Sequence, residues 1–139
     1  MKTQPISFRP SQSLDARLRS LSERTGVAKS RLVEQLTDEA ERLHRYPGLG
    51  FRDSGERRRA WVLGSPFDVW EVIEGWQDLH EDADVVREQL GIDDRQLRLA
   101  LAYYREFPEE IDRALALNRR SLEELEAAYP FMEVLRVDL

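Results

Sequence analysis

A three-residue alternation near the start of the chain, Ile6-Ser7-Phe8, constrains what the chain can fold into more than any other feature. Apolar side chains flanking a polar one mark a half-buried strand, yet a strand this short forms no stable sheet alone. Two amphipathic helices follow it. Ser11 is placed to cap a helix carrying Leu14, Leu18 and Leu21, and Gly26 supplies a left-handed stop. A second helix is expected from about Ala28, with Leu32, Val33, Leu36, Ala40 and Leu43 on one face, until His44-Arg45-Tyr46-Pro47-Gly48 breaks it. About ten apolar side chains cannot hold a lone strand and two helices together as a monomer. Pairing the strand with its twofold copy satisfies the backbone, while four helices enclose one shared core. That dimer core is expected to use Ile6, Phe8, Leu18, Leu21, Leu32, Val33 and Leu36, with Leu14 and Val27 beside them.

With Ile6 and Phe8 turned inward, Ser7 and Arg9 face outward on a two-stranded ribbon. Such a ribbon fits the major groove of double-stranded DNA, where Arg9 is suited to a bidentate contact with guanine and Ser7 to either base type. At the start of the second helix, free backbone N–H groups together with Lys29 and Ser30 form an expected phosphate seat. Charge points the same way. The net charge is −6, but residues 1–31 hold seven basic groups against two acids, a balance of +5 that leaves −11 on the remainder. A basic head suits a polyanion, and an acidic body suits a basic protein.

The order of elements, with I-S-F-R, then L-x-x-x-L-x-x-L, then G-V-A-K-S, resembles the ribbon-helix-helix repressors of the Arc, MetJ and CopG type over the first third of the chain. The resemblance implies a homodimeric, DNA-binding transcriptional repressor. Two residues depart from the family pattern. Pro5 stands at an outward ribbon position usually given to a polar reader, and Ala28 at a cap position that is often serine or threonine. Proline is tolerated where its missing N–H faces solvent, and an alanine cap costs on the order of 1 kcal/mol.

The remaining sequence predicts a mainly α protein: the dimeric head at 1–46, a β-hairpin plus helix-turn-helix-like domain at 47–118, and an acidic helix and tail at 119–139. Phe51 to Leu63 reads as the hairpin, turning at Asp53-Ser54-Gly55. Ser65 with Asp68 forms a candidate capping box with Pro66 at the first helical position, and Phe67, Trp70, Ile73 and Trp76 follow at threefold spacing. Asp82 to Leu90 is a shorter helix ended by Gly91, and Asp93 with Gln96 caps the next, which carries Leu97, Ala100, Leu101 and Tyr104 until Pro108. Two further helices are expected, around Ile111 to Leu117 and from Ser121 to Ala128. The aromatic residues of this region belong to its core rather than to a base-stacking surface. The stretch from Pro47 to about 117, above all Y-Y-x-x-x-P-E-E-I-D at Tyr103 to Asp112, resembles an uncharacterised helix-turn-helix-like family of bacterial antitoxins. Genes of that family commonly neighbour PIN-like toxin genes. The resemblance therefore implies the antitoxin of a type II toxin–antitoxin system, neutralising a PIN-like toxin and repressing its own operon. The acidic helix and the apolar tail from Phe131 are the candidate toxin-binding segment.

The absence of cysteine excludes disulfides, thiolate zinc sites and cysteine nucleophiles. Without an apolar run after Lys2 or a stretch of eighteen apolar residues, the expected setting is cytoplasmic, with no membrane contact, no cofactor and no metal. A magnesium-dependent nuclease built on Asp82, Asp84, Asp93 and Asp94 with His44 or His80 is the enzymatic alternative, disfavoured because helix caps place aspartates in such positions without a metal. A repressor without a toxin partner and a protein-only dimeric adaptor are the others. Arg57-Arg58-Arg59 reads as a charged edge strand before it reads as a second phosphate patch.

Overall fold

The computed structural model describes residues 3–131, which divide into two compact units, with the boundary between Arg42 and Leu43. The first contains α1 (Gln12–Thr25) and most of α2 (Lys29–Arg45). Thr3 to Pro10 carries no regular secondary structure in the single protomer. A strand is defined by its ladder partner, and among the described residues none from the same chain pairs with this segment. The tail beyond Phe131 expected from the sequence lies outside the described residues.

The second unit opens with a two-stranded antiparallel sheet of β1 (Leu49–Arg52) and β2 (Arg59–Val62), paired from Leu49 opposite Val62 to Arg52 opposite Arg59. A single 3-10 turn at Gly55–Arg57 connects them. Alternation places Ala60 and Val62 in the core, with Leu49 from the facing strand. Four helices complete the unit: α3 (Val69–Asp78), α4 (Ala83–Leu90), α5 (Asp94–Glu106) and α6 (Pro108–Ala128). Helix α3 is the central one, packed against β2, α4, α5 and α6. Its Val69, Val72 and Ile73 are fully buried. Gly75 lets α4 approach closely, since a Cβ there would meet Leu90 Cδ1 at 3.2 Å.

Two helix boundaries differ from the sequence reading. Helix α3 begins at Val69 rather than Pro66, and its capping box joins Asp68 with Glu71. The residues before it are held by the sheet: the Phe67 carbonyl accepts from Val62 N–H at 3.0 Å, and Asp68 bridges to Trp61. Ser65 instead closes a local turn, donating to the Val62 carbonyl at 2.8 Å and accepting from Phe67 N–H at 3.1 Å. At the other end, the two helices expected after Pro108 are one continuous helix of 21 residues. Asn118 to Ser121 contains neither glycine nor proline, and an i,i+4 ion pair between Arg120 and Glu124 crosses the supposed break at 2.9 Å. The remaining signals act as read: Asp82 accepts from Val85 N–H, and Asp93 with Gln96 forms a reciprocal box.

The Tyr103 to Asp112 stretch proves to be a clasp between α5 and α6. The buried Tyr103 hydroxyl donates to Glu110 at 2.5 Å, and the Tyr104 hydroxyl donates to Asp112 at 2.6 Å. Tyr103 also packs its ring on Tyr46 and Phe107, with centroids 5.6 and 4.8 Å away. Pro108 at the first turn of α6 sets the bend that these bonds close. Among the described residues no helix is long and apolar enough to cross a membrane.

Candidate nucleic-acid interface

The local chemistry of the N-terminal unit follows its caps. Ser11 Oγ accepts from Leu14 N–H at 3.2 Å, starting α1 where the chain leaves Pro10. Gly26, at φ 72°, takes the left-handed conformation that ends α1 at low steric cost, and its N–H returns to the Ser22 carbonyl at 2.9 Å. Ser22 Oγ then donates to the Val27 carbonyl at 2.7 Å, tying the link to the helix it leaves. These bonds fix where α2 begins.

The expected core residues fall into two groups. Leu18 and Leu32 are buried within the protomer, and Leu21, Val33 and Leu36 are half-buried. Ile6 is 95% exposed and Phe8 58%, although both are large and apolar. The helical part of the expected core is therefore partly covered in a single chain, whereas Ile6 and Phe8 are bare. Ser7 and Arg9 are exposed beside them. Ala40, expected on the apolar face of α2, is exposed instead, and the preceding Glu39 is buried, with its carboxylate accepting from Gln35 Nε2 at 3.1 Å. An apolar alanine carries too little surface to decide the facing of a turn when a neighbouring side chain is held by an i,i+4 bond.

At the start of α2 the first ladder bond runs from Leu32 N–H to the Ala28 carbonyl at 3.0 Å, so the amides of residues 29–31 lie outside the helix's own ladder. Ser30 is exposed there. Lys29 is not an isolated cation: its ammonium is hydrogen-bonded to Asp15 Oδ1, and Arg19 holds the other oxygen of Asp15 at 2.8 Å. The part played by Asp15 was missed in the sequence. Its i,i+4 spacing from Arg19 was the available signal, but the Lys29 contact spans the turn between helices.

Residues 2–35 match the family model of the ribbon-helix-helix domain. The first part of the chain is a ribbon-helix-helix domain. This stretch holds Ser7, Arg9, Lys29, Ser30 and six of the seven expected core side chains, and it ends just short of Leu36. Ribbon-helix-helix domains typically bind DNA as dimers, which is consistent with a role in transcriptional regulation. Comparison with curated proteins and with solved structures gave no match.

Charged clusters outside the ribbon-helix-helix domain are engaged in the fold of the second unit. Arg58 and Arg59 donate to backbone carbonyls, Arg58 to Asp53 at 2.9 Å and Arg59 to Glu56 at 2.5 Å. Asp82 and Asp93 cap helices, Asp84 pairs with Arg87, and Asp94 pairs with both Arg87 and Arg98. Among the described residues no group of three or more potential ligands is arranged to hold a metal ion.

Proposed function

We propose that the chain is a transcriptional repressor that reads operator DNA through the ribbon of a homodimer. The observation that carries this reading is the exposure of two large apolar side chains, Ile6 and Phe8, in one protomer, within a matched ribbon-helix-helix domain. A second copy would cover them and leave Ser7 and Arg9 outward, where an arginine suits a guanine edge. Arg9→Ala is expected to lower affinity for the specific site by roughly 1–3 kcal/mol while leaving binding to unrelated duplexes nearly unchanged. Gel-shift titration against the DNA upstream of its own reading frame, over a range of salt, measures this. Wild-type protein that shows no salt-dependent retention on that DNA refutes the reading and leaves a protein-only adaptor.

The same chain is proposed as an antitoxin whose partner is a PIN-like toxin. Support comes from the antitoxin resemblance of the second unit and from the distal part of α6. The buried residues of α6 are Ile111, Ala114 and Leu115. Beyond Asn118 the helix carries Glu123, Glu124 and Glu126, with Leu125, Tyr129 and Phe131 exposed. Acidic side chains interleaved with bare apolar ones suit a cationic protein surface with an apolar floor. The α4–α5 pair, read as helix-turn-helix-like, serves protein contact in this view, because acidic residues crowd the opening of α5. A chain ending at residue 118 keeps the buried residues of α6 and the Asn118–Glu74 bond of 3.4 Å. It is expected to bind DNA normally and to fail to rescue growth when co-expressed with the product of the adjacent gene. Full rescue by the shortened chain would move the toxin contact away from distal α6.

A further inference from the structure

Three charged side chains meet in the N-terminal unit in an arrangement that DNA binding alone does not require. Asp15, in the first turn of α1, accepts from Arg19 through Oδ2 and from Lys29, at the start of α2, through Oδ1. Its side chain is 25% exposed, against 68% for Arg19 and 45% for Lys29. The carboxylate is thus the most covered member of the cluster, and both cations remain open to an anion from outside. The hydrogen bond from Lys29 is the main cause holding the Asp15 carboxyl below its ordinary range. Lys29 is also the cation that the phosphate seat of the head depends on.

We infer that Asp15 is an internal competitor for phosphate, occupying Lys29 in the free protein, with Arg19 holding its other oxygen, and keeping the DNA affinity of the head below what Lys29 would give. The inference rests on the DNA-binding reading above. An aspartate carboxylate and a phosphate oxygen present the same acceptor chemistry to an ammonium or guanidinium group, so one displaces the other. The trio carries a net charge of +1, whereas the two cations alone would carry +2. Because phosphate contacts hold no sequence information, this restraint lowers affinity for every duplex alike. Discrimination is then left to the ribbon residues.

The test compares full-length wild type, Asp15→Asn, Asp15→Ala and Asp15→Ala/Lys29→Ala by salt titration on the upstream duplex and on an unrelated duplex of equal length. Each cation freed for a phosphate is expected to raise affinity roughly tenfold near 0.1 M salt and to steepen the log–log salt slope by about 0.9. A dimer holds two copies of Asp15, so the slope should steepen by about 2 in total. Both single variants should gain on both duplexes, and Lys29→Ala should remove the gain. Weaker or unchanged binding by Asp15→Ala, beside a wild type that binds with salt dependence, overturns the inference and makes Asp15 a positioning residue for Lys29. A gain that survives Lys29→Ala also overturns it, because the released charge would lie elsewhere. If neither wild type nor any variant binds either duplex, the DNA-binding reading itself fails and the inference falls with it.

Discussion

Replacing Ile6 and Phe8 together by aspartate is expected to leave a folded monomer that binds neither its partner copy nor DNA. Burying an isoleucine or phenylalanine side chain contributes about 1.5–3 kcal/mol, and a dimer would bury two of each, for a total of roughly 6–12 kcal/mol. Aspartate forfeits that gain and adds the cost of removing four carboxylates from water. The dimer dissociation constant should rise by more than about a thousandfold, which corresponds to only about 4 kcal/mol. Sedimentation at micromolar concentration reads the change directly. The helical part of the protomer should survive, because Leu18 and Leu32 are already buried within one chain whereas Ile6 and Phe8 are not. Far-UV circular dichroism close to that of wild type is therefore part of the expected result. A variant that remains dimeric would show that the association does not run through the ribbon.

The second large effect lies in the clasp between α5 and α6. Tyr103→Ala removes a fully buried ring that packs on Tyr46 and Phe107 and whose hydroxyl bonds to Glu110. The cavity and the lost contacts should together cost about 3–5 kcal/mol, a large fraction of the stability of a domain this size. Tyr103→Phe keeps the ring and loses only the bond to a charged acceptor, for which about 1.5–3 kcal/mol is expected. Urea denaturation monitored by tryptophan fluorescence reports on this unit, since Trp61, Trp70 and Trp76 all lie within it. Equal losses for the two variants would show that the hydroxyl, not the ring, carries the whole contribution.

Much of the architecture was legible where a single residue type settles a local conformation. Ser11, Gly26, Asp82, Gly91 and Asp93 each mark the helix end expected of them, because capping and positive-φ chemistry depend on few neighbours. The start of α3 was misread because Ser65-Pro66 satisfies the local pattern of a helix start, while the deciding bonds come from Val62 and Trp61 on a strand. The break expected in α6 has a similar cause. Ser121 with Glu124 three residues on has the spacing of a capping box and reads as a new helix start, yet nothing from Asn118 to Ser121 opposes helix, and the helix runs through. In the ribbon segment, the alternation of Ile6, Ser7 and Phe8 leads to an expectation of two faces, whereas in one protomer all three residues are exposed. The Asp15–Lys29 pair could not be read that way, because its two members come together only through the turn set by Gly26.

The bare ribbon also has a consequence for dosage. If the reading element exists only when two chains pair, the concentration of competent protein below the dimer's dissociation constant varies as the square of the chain concentration. Halving the amount of chain would then cut the DNA-reading species about fourfold, so a modest rise in turnover would release a target gene more sharply than a monomeric reader could.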